Sequence, residues 1–343
     1  MKPLININYE SEIPLIGAIM FGLIDRGTNL IQIRPTTICP LNCIFCSTDA
    51  GPCSLRRRTD YLVEKEYLLD YIKEIIKFKG EHNIEANIDS VGEPLTHPKI
   101  VEIIHEISQM KGVETISMQS NGMLLNEKLI DNLADTGLTR LNLSMNSLDE
   151  DLGIKLSNTK QYSAKRISEL AKQISNTKIN LLIAPVWIPG FNDAEIPKLI
   201  EFAKEINKNK KPKYPVIGIQ KYEDYKLGRR PKTKELNWWK FYNQLKEWEI
   251  KYNMHLILRK EDFGIHKREH LPLKFQKGDK INAVVKAQGW MDNQMIAVAD
   301  NRAITILGNP PLNTQVRAKI IHNKDNLYVA ELKAAKHDLS YLT

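Results

Sequence analysis

The stretch that decides the fold reads Cys39-Pro40-Leu41-Asn42-Cys43-Ile44-Phe45-Cys46 and places three thiols within eight residues. It follows a short apolar run, Leu30-Ile31-Gln32-Ile33. Thiolates are the usual ligands of iron-sulfur clusters, and a tight loop can bring three of them to one cluster. The spacing therefore predicts one iron-sulfur cube held by Cys39, Cys43 and Cys46, with a fourth iron that has no protein ligand.

An iron without a protein ligand can chelate the amino and carboxylate groups of a methionine. Phe45, an aromatic residue directly before Cys46, can lie beside an adenine. The alternative for the same loop is a zinc site, in which Cys53 completes a C-x3-C-x2-C-x6-C set of four thiolates. Zinc sites usually pair two short knuckles rather than three crowded ligands and a distant one, so the cluster is favoured.

Length and composition describe a globular protein of about two domains. The chain has 343 residues, a net charge of +8 and four cysteines. Three clustered cysteines argue against a disulfide framework and for a reducing compartment. No signal peptide or membrane-spanning run is evident, so a cytoplasmic protein with no membrane partner is expected. No phosphate-binding glycine loop occurs, which disfavours a nicotinamide enzyme or an ATPase.

Positive charge is concentrated in one region of the chain. Residues 207–268 hold 17 Lys and Arg against 7 Asp and Glu. Aromatic residues are interleaved with these charges: Tyr214, Tyr222, Tyr225, Trp238, Trp239, Tyr242 and Trp248. Such a surface suits a polyanion, and RNA is the natural candidate. The alternative is a solvated lysine-rich face whose aromatic residues pack inward.

Apolar runs and helical patterns alternate through the first two thirds of the chain. The predicted strands are Leu30 to Arg34, Ala86 to Ser90, Thr115 to Gln119, Arg140 to Met145, Ile179 to Val186 and Pro215 to Gln220. The predicted helices between them are Glu64 to Phe78, Lys99 to Met110, Asn126 to Asp135, Ser163 to Ile174 and Ala194 to Ile206. Six strands separated by five helices predict an α/β fold, a partial (βα)6 TIM-type barrel with right-handed crossovers.

Polar or glycine-rich segments follow the predicted strands at equivalent positions. They are the cysteine loop, Gly92-Glu93-Pro94, Ser120-Asn121-Gly122, Ser144-Met145-Asn146-Ser147 and Pro189-Gly190-Phe191-Asn192-Asp193. In parallel barrels the chemistry gathers at the carboxyl ends of the strands, so these segments are expected to form one site. Gly, Pro, Asn and Asp also form turns, which is the alternative for any single segment.

The cysteine loop resembles that of the radical S-adenosylmethionine (radical SAM) superfamily, of the archaeal type. The family's loop reads Cys, three residues, Cys, any residue, an aromatic residue, Cys, and the resemblance covers about Leu30 to Gln220. It implies an enzyme with a 4Fe-4S cluster and S-adenosylmethionine as cofactors. It further implies that the reduced cluster cleaves S-adenosylmethionine to a 5′-deoxyadenosyl radical, with an electron donor such as ferredoxin or flavodoxin as a partner.

The resemblance also suggests how S-adenosylmethionine is bound. Gly92, Glu93 and Pro94 are similar to the family's segment that holds the methionine amino group, with Val91 in place of the usual preceding glycine. Asn121, Ser144 and Asn146 lie where the family binds the methionine carboxylate and the ribose. Pro189 to Asn192 resembles the segment beside the adenine. Each of the polar residues can instead be a turn or capping residue.

The composition changes near His270, and five short β-rich runs follow. These predicted strands are Ile281 to Ala287, Gln294 to Ala299, Ala303 to Leu307, Gln315 to Ile321 and Asn326 to Leu332. They predict a small all-β barrel, similar to the OB-like TRAM domain of tRNA-modifying enzymes. The predicted domains are therefore a catalytic domain over 1–268, with a core barrel at about 30–220 and a basic extension at 221–268, and a TRAM-like barrel over 269–335.

The predicted RNA contacts lie in both parts of the chain. The candidate phosphate ligands are Arg229, Arg230, Lys232, Lys286, Arg302, Arg317 and Lys319, and the candidate stacking residues are Trp290 and Tyr328. A barrel that only packs against the core is the alternative. The leading functional hypothesis is modification of RNA, and tRNA in particular. The alternatives are modification of a protein or peptide and a zinc-bound RNA-binding protein without catalysis.

The number of cysteines narrows the possible reaction. Only Cys53 lies outside the cluster loop, so a second cluster held by three further cysteines cannot be built. A methyl transfer that uses two cysteines also lacks one thiol. Cys53 is a candidate hydrogen-atom donor or a small apolar residue. His97, three residues after Pro94, is expected to order the start of the next helix.

Overall fold

A six-stranded sheet organises the larger part of the chain, which a computed structural model describes over residues 2–209 and 211–332. The strands of this part are β1 (Leu4–Ile7), β2 (Gly22–Asp25), β3 (Leu30–Arg34), β4 (Asp60–Val63), β5 (Ile84–Ile88), β6 (Val113–Ser120), β7 (Arg140–Leu143), β8 (Asn180–Ile183), β9 (Val186–Trp187) and β10 (Gln220–Lys221). The sheet order is β2-β3-β5-β6-β7-β8, in which β3 to β8 pair in parallel and β2 is an antiparallel edge strand.

Amphipathic helices cover the outer face of this sheet. They are α1 (Lys65–Phe78), α2 (Ile100–Ser108), α3 (Glu127–Asp135), α4 (Glu150–Ser157), α5 (Ala164–Ser175), α6 (Glu195–Ile206) and α7 (Trp238–Tyr252). In α2, for example, Ile100, Ile103 and Ile107 share one buried face, as the helical period requires. Asn126 and Ser163 cap α3 and α5 by accepting hydrogen bonds from backbone N–H groups of the first turn. None of the helices in the described part combines the length and hydropathy needed to span a bilayer.

The predicted partial TIM-type barrel is confirmed, with local differences. The sixth predicted strand, Pro215 to Gln220, is reduced to one parallel bridge between Ile217 and Ile183 and to the two-residue β10. Pro215 cannot donate a ladder hydrogen bond, which shortens this edge. Helix α4 has no counterpart among the predicted helices, and residues 255–258 follow α7 as irregular structure.

The predicted C-terminal all-β barrel is also confirmed. Its strands are β11 (Lys280–Gln288), β12 (Gln294–Ala299), β13 (Arg302–Leu307), β14 (Gln315–His322) and β15 (Val329–Leu332), and they close in the order β11-β12-β13-β15-β14. Alternate residues of β11, including Ile281, Ala283 and Val285, point into the core of the barrel. The last three residues of the predicted TRAM-like domain, 333–335, lie outside the described residues.

The two barrels are joined through the N-terminal lead-in. The N–H groups of Ala303 and Tyr328 donate to the carbonyl oxygens of Ile16 and Gly17, both at 2.9 Å. Gly17 has a φ of +129°, and a Cβ at this position would lie 2.0 Å from the Ala303 carbonyl oxygen. Only glycine fits this approach of two backbones. The apolar run from Ile13 to Leu23 thus docks the small barrel against the large one.

Candidate functional site

A cavity of about 490 Å³ opens at the carboxyl ends of the parallel strands. The segments after β3, β5, β6 and β7 all contribute to its wall, as expected for chemistry built on a parallel barrel. The predicted site residues that line it are Cys39, Cys43, Phe45, Cys46, Gly92, Glu93, Asn121, Ser144 and Asn146. The fold therefore brings together residues that are up to about a hundred positions apart in the chain.

The three thiols of the cysteine loop line this cavity and are partly buried. Burial raises the pKa of the Cys39 thiol to about 12 and also raises the pKa of the Cys43 thiol. Free thiolates are therefore disfavoured, and a positively charged metal centre would be needed to stabilise them. The Asn121 side-chain nitrogen lies 3.7 Å from the Cys39 sulfur. The donor set fits an iron-sulfur cluster that faces the cavity.

The alternative of a zinc site needs Cys53 as its fourth sulfur ligand. Cys53 is exposed and lies outside the cavity wall, with its N–H donating to Asn42.

Arg57, which the sequence analysis did not single out, forms hydrogen bonds with the residues on both sides of the cysteine loop. Its side chain is only 1% exposed. The guanidinium donates to the carbonyl oxygens of Thr37, Thr48 and Val91 and to the Thr48 hydroxyl. Its Cζ also lies 4.6 Å from the centre of the Trp290 ring. One buried cation therefore ties the cysteine loop, the segment before Gly92 and the small barrel together.

The prediction that Arg229 contacts phosphate is not supported by the structure, because the cysteine loop already occupies its donors. The guanidinium pairs with Asp49 at 2.8 Å and donates to the carbonyl oxygens of Cys43 at 3.1 Å and Ala50 at 2.6 Å. The neighbouring Gly228 packs so closely that a Cβ would lie 2.8 Å from the Cys46 carbonyl oxygen. Residues 221–237, which we call the mouth segment, thus contact the cysteine loop at Gly228 and Arg229.

Glu93 connects two of the cavity-forming segments. Its carboxylate accepts hydrogen bonds from the Leu95 N–H at 3.1 Å, the Ser120 hydroxyl at 2.9 Å and the Asn121 N–H at 2.7 Å. Burial raises its pKa to about 7, and these three hydrogen bonds partly oppose that effect. A buried carboxylate poised in this way can bind a cation such as the ammonium group of a methionine, which stays a prediction for Glu93.

Other predicted cofactor residues have structural contacts of their own. Ser144 faces the cavity, and the Asn146 side chain accepts a hydrogen bond from the Val186 N–H at 2.8 Å. Asn192 is buried and donates to the carbonyl oxygens of Asn146 and Val186. Asn192 therefore braces the site, and its contact with an adenine stays a prediction.

Three further candidates lie around these residues. Pro94 is buried and begins a short 3-10 helix directly after Glu93. The Pro189 carbonyl oxygen accepts from Thr233 of the mouth segment. His97 is buried, and its ring nitrogen accepts from the Lys99 N–H at 3.1 Å. Its predicted role in ordering the start of α2 is therefore confirmed.

The predicted RNA contacts divide into accessible and inaccessible residues. Lys232 and Arg317 are exposed, Arg230 is exposed beside Asp224, and Lys286 pairs with Glu12. The prediction that Trp290 and Tyr328 stack on bases is wrong, because both rings are buried: Trp290 lies against Arg57, and the Tyr328 hydroxyl donates to Asn326. Arg302 is buried as well and cannot meet a phosphate.

An exposed aromatic surface lies beside the mouth of the cavity. Trp238, Trp239 and Tyr242 at the start of α7 are 51%, 71% and 41% exposed. The Lys221 ammonium lies 5.0 Å from the centre of the Trp238 ring, and Lys221 itself lines the cavity. Other aromatic residues of the basic region, Tyr214 and Tyr222, are buried. The inward-packing alternative thus holds for part of the region only.

Comparison with known families and proteins identifies relatives of the chain. The family model of the Radical SAM superfamily matches residues 33–203. An uncharacterized protein of Methanocaldococcus jannaschii is 41% identical, over 95% of this chain and 80% of that protein. The GTP 3′,8-cyclase of Chlorobaculum tepidum is 25% identical over 65% of this chain, and a probable GTP 3′,8-cyclase of Methanococcus aeolicus is 29% identical over 59%. The alignments span 62% and 68% of these two cyclases.

Solved structures show the same fold. The FeFe-hydrogenase maturase HydG from Carboxydothermus hydrogenoformans superposes with a TM-score of 0.52 at 16% identity, over 64% of this chain and 51% of that one. A spore photoproduct lyase mutant with bound AdoMet and dinucleoside spore photoproduct has a TM-score of 0.50 at 11% identity, over 76% of this chain and 80% of that one. At such identities the likeness concerns the fold alone.

Proposed function

This chain belongs to the radical SAM superfamily, and we propose that it modifies RNA, with tRNA as the expected class of substrate. The chain binds a 4Fe-4S cluster and S-adenosylmethionine, the cofactors of this superfamily. Reductive cleavage of S-adenosylmethionine to a 5′-deoxyadenosyl radical is the chemistry that this cofactor pair supplies when bound.

In this proposal the chain's own residues bind and orient the cofactors. Cys39, Cys43 and Cys46 hold the cluster against the cavity, and Glu93 receives the methionine ammonium group. Asn121 and Ser144, which face the same cavity, contact the carboxylate and the ribose. Tyr222 and Tyr225 of the mouth segment also line the cavity, where their rings help to exclude water.

The observation that carries the RNA proposal is the exposed aromatic surface next to the cavity. Contiguous exposed apolar patches on a protein surface often mark a site that binds a partner. Aromatic rings beside lysines suit single-stranded nucleic acid, because bases stack on the rings while the cations meet the phosphates. Lys232, Lys234 and Lys240 are exposed around Trp238 and Trp239. A strand bound there would lie beside Lys221, which lines the cavity and contacts the Trp238 ring.

The small barrel supports the proposal through its charge pattern. The register of β11 and β14 sets Lys280 directly opposite Lys319, and Asn282 opposite Arg317. All four residues are exposed. Like charges in directly opposed positions destabilise a sheet, although Lys319 lies 3.9 Å from Glu331. A bound phosphate backbone would offset this repulsion, which favours the OB-like, TRAM-like role for the barrel.

RNA binding is tested by fluorescence anisotropy with labelled tRNA over a series of salt concentrations. We expect binding to weaken steeply as salt rises, because bound phosphates release counterions. Trp239→Ala should weaken binding by about 1–3 kcal/mol, the value of one stacked base. The matched control is Ile250→Ala, which removes an 85% exposed apolar side chain elsewhere on α7. Equal affinity of both variants would contradict the proposed surface.

Catalysis is tested separately by anaerobic reconstitution with iron and sulfide. The reduced protein with S-adenosylmethionine should form 5′-deoxyadenosine, and Cys43→Ala should not. A brown protein that contains iron and sulfide supports the enzyme, whereas a colourless protein that contains zinc supports the non-catalytic RNA-binding alternative. RNA from a deletion strain should then lack one modified nucleoside, which mass spectrometry detects.

A free purine nucleotide is the second candidate substrate. The observation in its favour is the 25–29% identity to GTP 3′,8-cyclases over about two thirds of the chain or less. The two candidates differ in what stimulates 5′-deoxyadenosine formation. Stimulation by RNA and not by GTP supports RNA modification, and the opposite result supports the nucleotide. Stimulation by neither would direct the search to a protein or peptide substrate.

A further inference from the structure

A row of polar side chains forms the floor of the cavity beneath the cofactor segments. The strand register pairs Ile33 of β3 with Ile88 of β5, and Ile88 with Met118 of β6. The residues that follow these three are Arg34, Asp89 and Gln119, and they therefore lie side by side. All three line the cavity. None of the three belongs to the segments that resemble the cofactor site, so the row is available to a substrate.

The cation in this row is buried and not fully paired. Arg34 is 8% exposed, donates to the Ile19 carbonyl oxygen and has one Nη 3.9 Å from Asp89. Within residues 2–209 and 211–332, neither Arg34 Nε nor the buried Ser90 Oγ has a hydrogen-bond partner. Ser90 also lines the cavity. Unpaired buried polar atoms cost free energy, so two of them at one cavity indicate a place where a ligand supplies the missing partners.

Asp89 supplies the acceptor in the middle of the row. One carboxylate oxygen accepts a hydrogen bond from the Gln32 amide, and the side chain remains 32% exposed. A carboxylate has about four lone-pair positions, so it can accept further hydrogen bonds from a ligand. The row therefore presents a hydrogen-bond donor at Arg34, an acceptor at Asp89, and an amide at Gln119 that can either donate or accept.

The geometry points to the lactam edge of a guanine or uracil base as the group that this floor binds, an inference that rests on the proposed RNA function. These bases have a ring N–H between two polar groups, one of which is a carbonyl. The ring N–H would donate to Asp89, and the carbonyl would accept from Arg34. Adenine and cytosine present an unprotonated ring nitrogen at the corresponding position, and that nitrogen would face the carboxylate with no proton between them.

A base can reach this floor only if it leaves the stack. Single-stranded loops of RNA permit this readily, and enzymes that act on bases use flipped nucleotides. A cavity of about 490 Å³ is in the range that encloses small ligands. Rings at Tyr222 and Tyr225 line its walls. They provide faces for stacking while the floor reads the edge of the base.

The test uses four labelled ten-nucleotide RNAs of adenosine that differ only in the central base, which is A, C, G or U. Their length and charge are equal, so the salt-dependent part of the affinity is the same for all. We expect the G or the U probe to bind the reconstituted protein about tenfold more tightly than the A and C probes. This is the discrimination that hydrogen bonds to one base edge provide. Which of the two binds more tightly identifies the base.

Asp89→Asn should abolish this preference, because the amide can donate to adenine and cytosine. The matched control is Asp224→Asn, which removes the same charge from the exposed mouth segment outside the cavity wall. Iron content should equal that of the wild type in both variants. If Asp89→Asn does not retain the cluster, Arg34→Met is measured in its place; it removes the donor to the carbonyl, and a smaller preference for the G and U probes is expected.

Two failures are distinguishable in this experiment. If no probe binds in a salt-dependent manner, the proposed RNA function is overturned, and this inference falls with it. If all four probes bind equally, or if the Asp89 and Arg34 variants keep the wild-type preference, only the base-reading floor is overturned. Loss of preference in Asp224→Asn would likewise show that the discrimination arises elsewhere.

Discussion

The buried Arg57 offers the sharpest test of how the site is held together. We consider Arg57→Met, which keeps most of the side-chain length and removes the guanidinium. The substitution removes the guanidinium donor from the carbonyl oxygens of Thr37, Thr48 and Val91, of which the Val91 oxygen keeps the Thr48 hydroxyl at 3.1 Å. It also removes the contact between the cation and the Trp290 ring. The cysteine loop and the small barrel would then lose their common anchor.

The expected loss follows from these contacts. Three buried acceptors at about 1 kcal/mol each, and about 1 kcal/mol for the cation over the ring, give a destabilisation of about 4 kcal/mol. Relief from burying a charge acts in the opposite direction, but breaking a buried charged network still costs about 3–5 kcal/mol. Against a typical unfolding free energy of about 5–15 kcal/mol, this loss is large.

Urea unfolding of the iron-free protein, followed by circular dichroism, measures the effect. The neighbouring Arg58→Met is the control, because Arg58 pairs with Asp292 of the small barrel while the two side chains are 49% and 64% exposed. An exposed pair contributes about 1 kcal/mol or less. We also expect Arg57→Met to retain less iron after reconstitution. Equal unfolding free energies for the two variants would refute the assignment of Arg57 as the anchor.

Three further predictions concern the cavity. Glu93→Ala should weaken binding of S-adenosylmethionine, measured by equilibrium dialysis, while iron content stays at the wild-type value; unchanged affinity would show that the cofactor is bound elsewhere. Burial raises the pKa of Glu93 from 4.5 to about 7. Between these pH values the carboxyl group of Glu93 is therefore protonated in the folded protein and ionised in the unfolded chain. The contribution of Glu93 to stability should therefore decline between about pH 4.5 and 7, and Glu93→Gln should flatten this part of the urea stability profile. Gly228→Val should lower cluster content, read from iron and sulfide analysis, because its Cβ would lie 2.8 Å from the Cys46 carbonyl oxygen; Leu227→Ala, which alters an exposed neighbour, should not.

Much of the fold and of the cluster loop follows from local patterns. The three cysteines lie within eight residues, so their shared role depends on a short segment that sequence alone defines. The strand and helix periods, and the turn residues between the short C-terminal strands, are also local. The segment from Pro215 shows the limit of such patterns, because a strand at a barrel edge needs a partner to form a ladder.

The outcome for Arg229 shows why other roles depended on the tertiary structure. Its basic neighbourhood indicated phosphate binding, but its guanidinium donates to the Cys43 carbonyl oxygen, 186 positions away in the chain. Trp290 and Tyr328 are aromatic, as residues that stack on bases are. Only the closed barrel shows that their rings point inward. Charge and aromatic character are properties of single residues, whereas exposure depends on everything that packs around them.

The sequence by itself determined the superfamily, the cluster ligands and the succession of the two barrels, because each of these depends on short-range spacing. The tertiary structure alone decided which side chains meet: Arg57 with Trp290, Glu93 with the Asn121 N–H, and Arg34 with Asp89 on adjacent strands. Such contacts depend on strand register and domain docking. Both arise from the summed packing of the whole chain, and no local pattern encodes them.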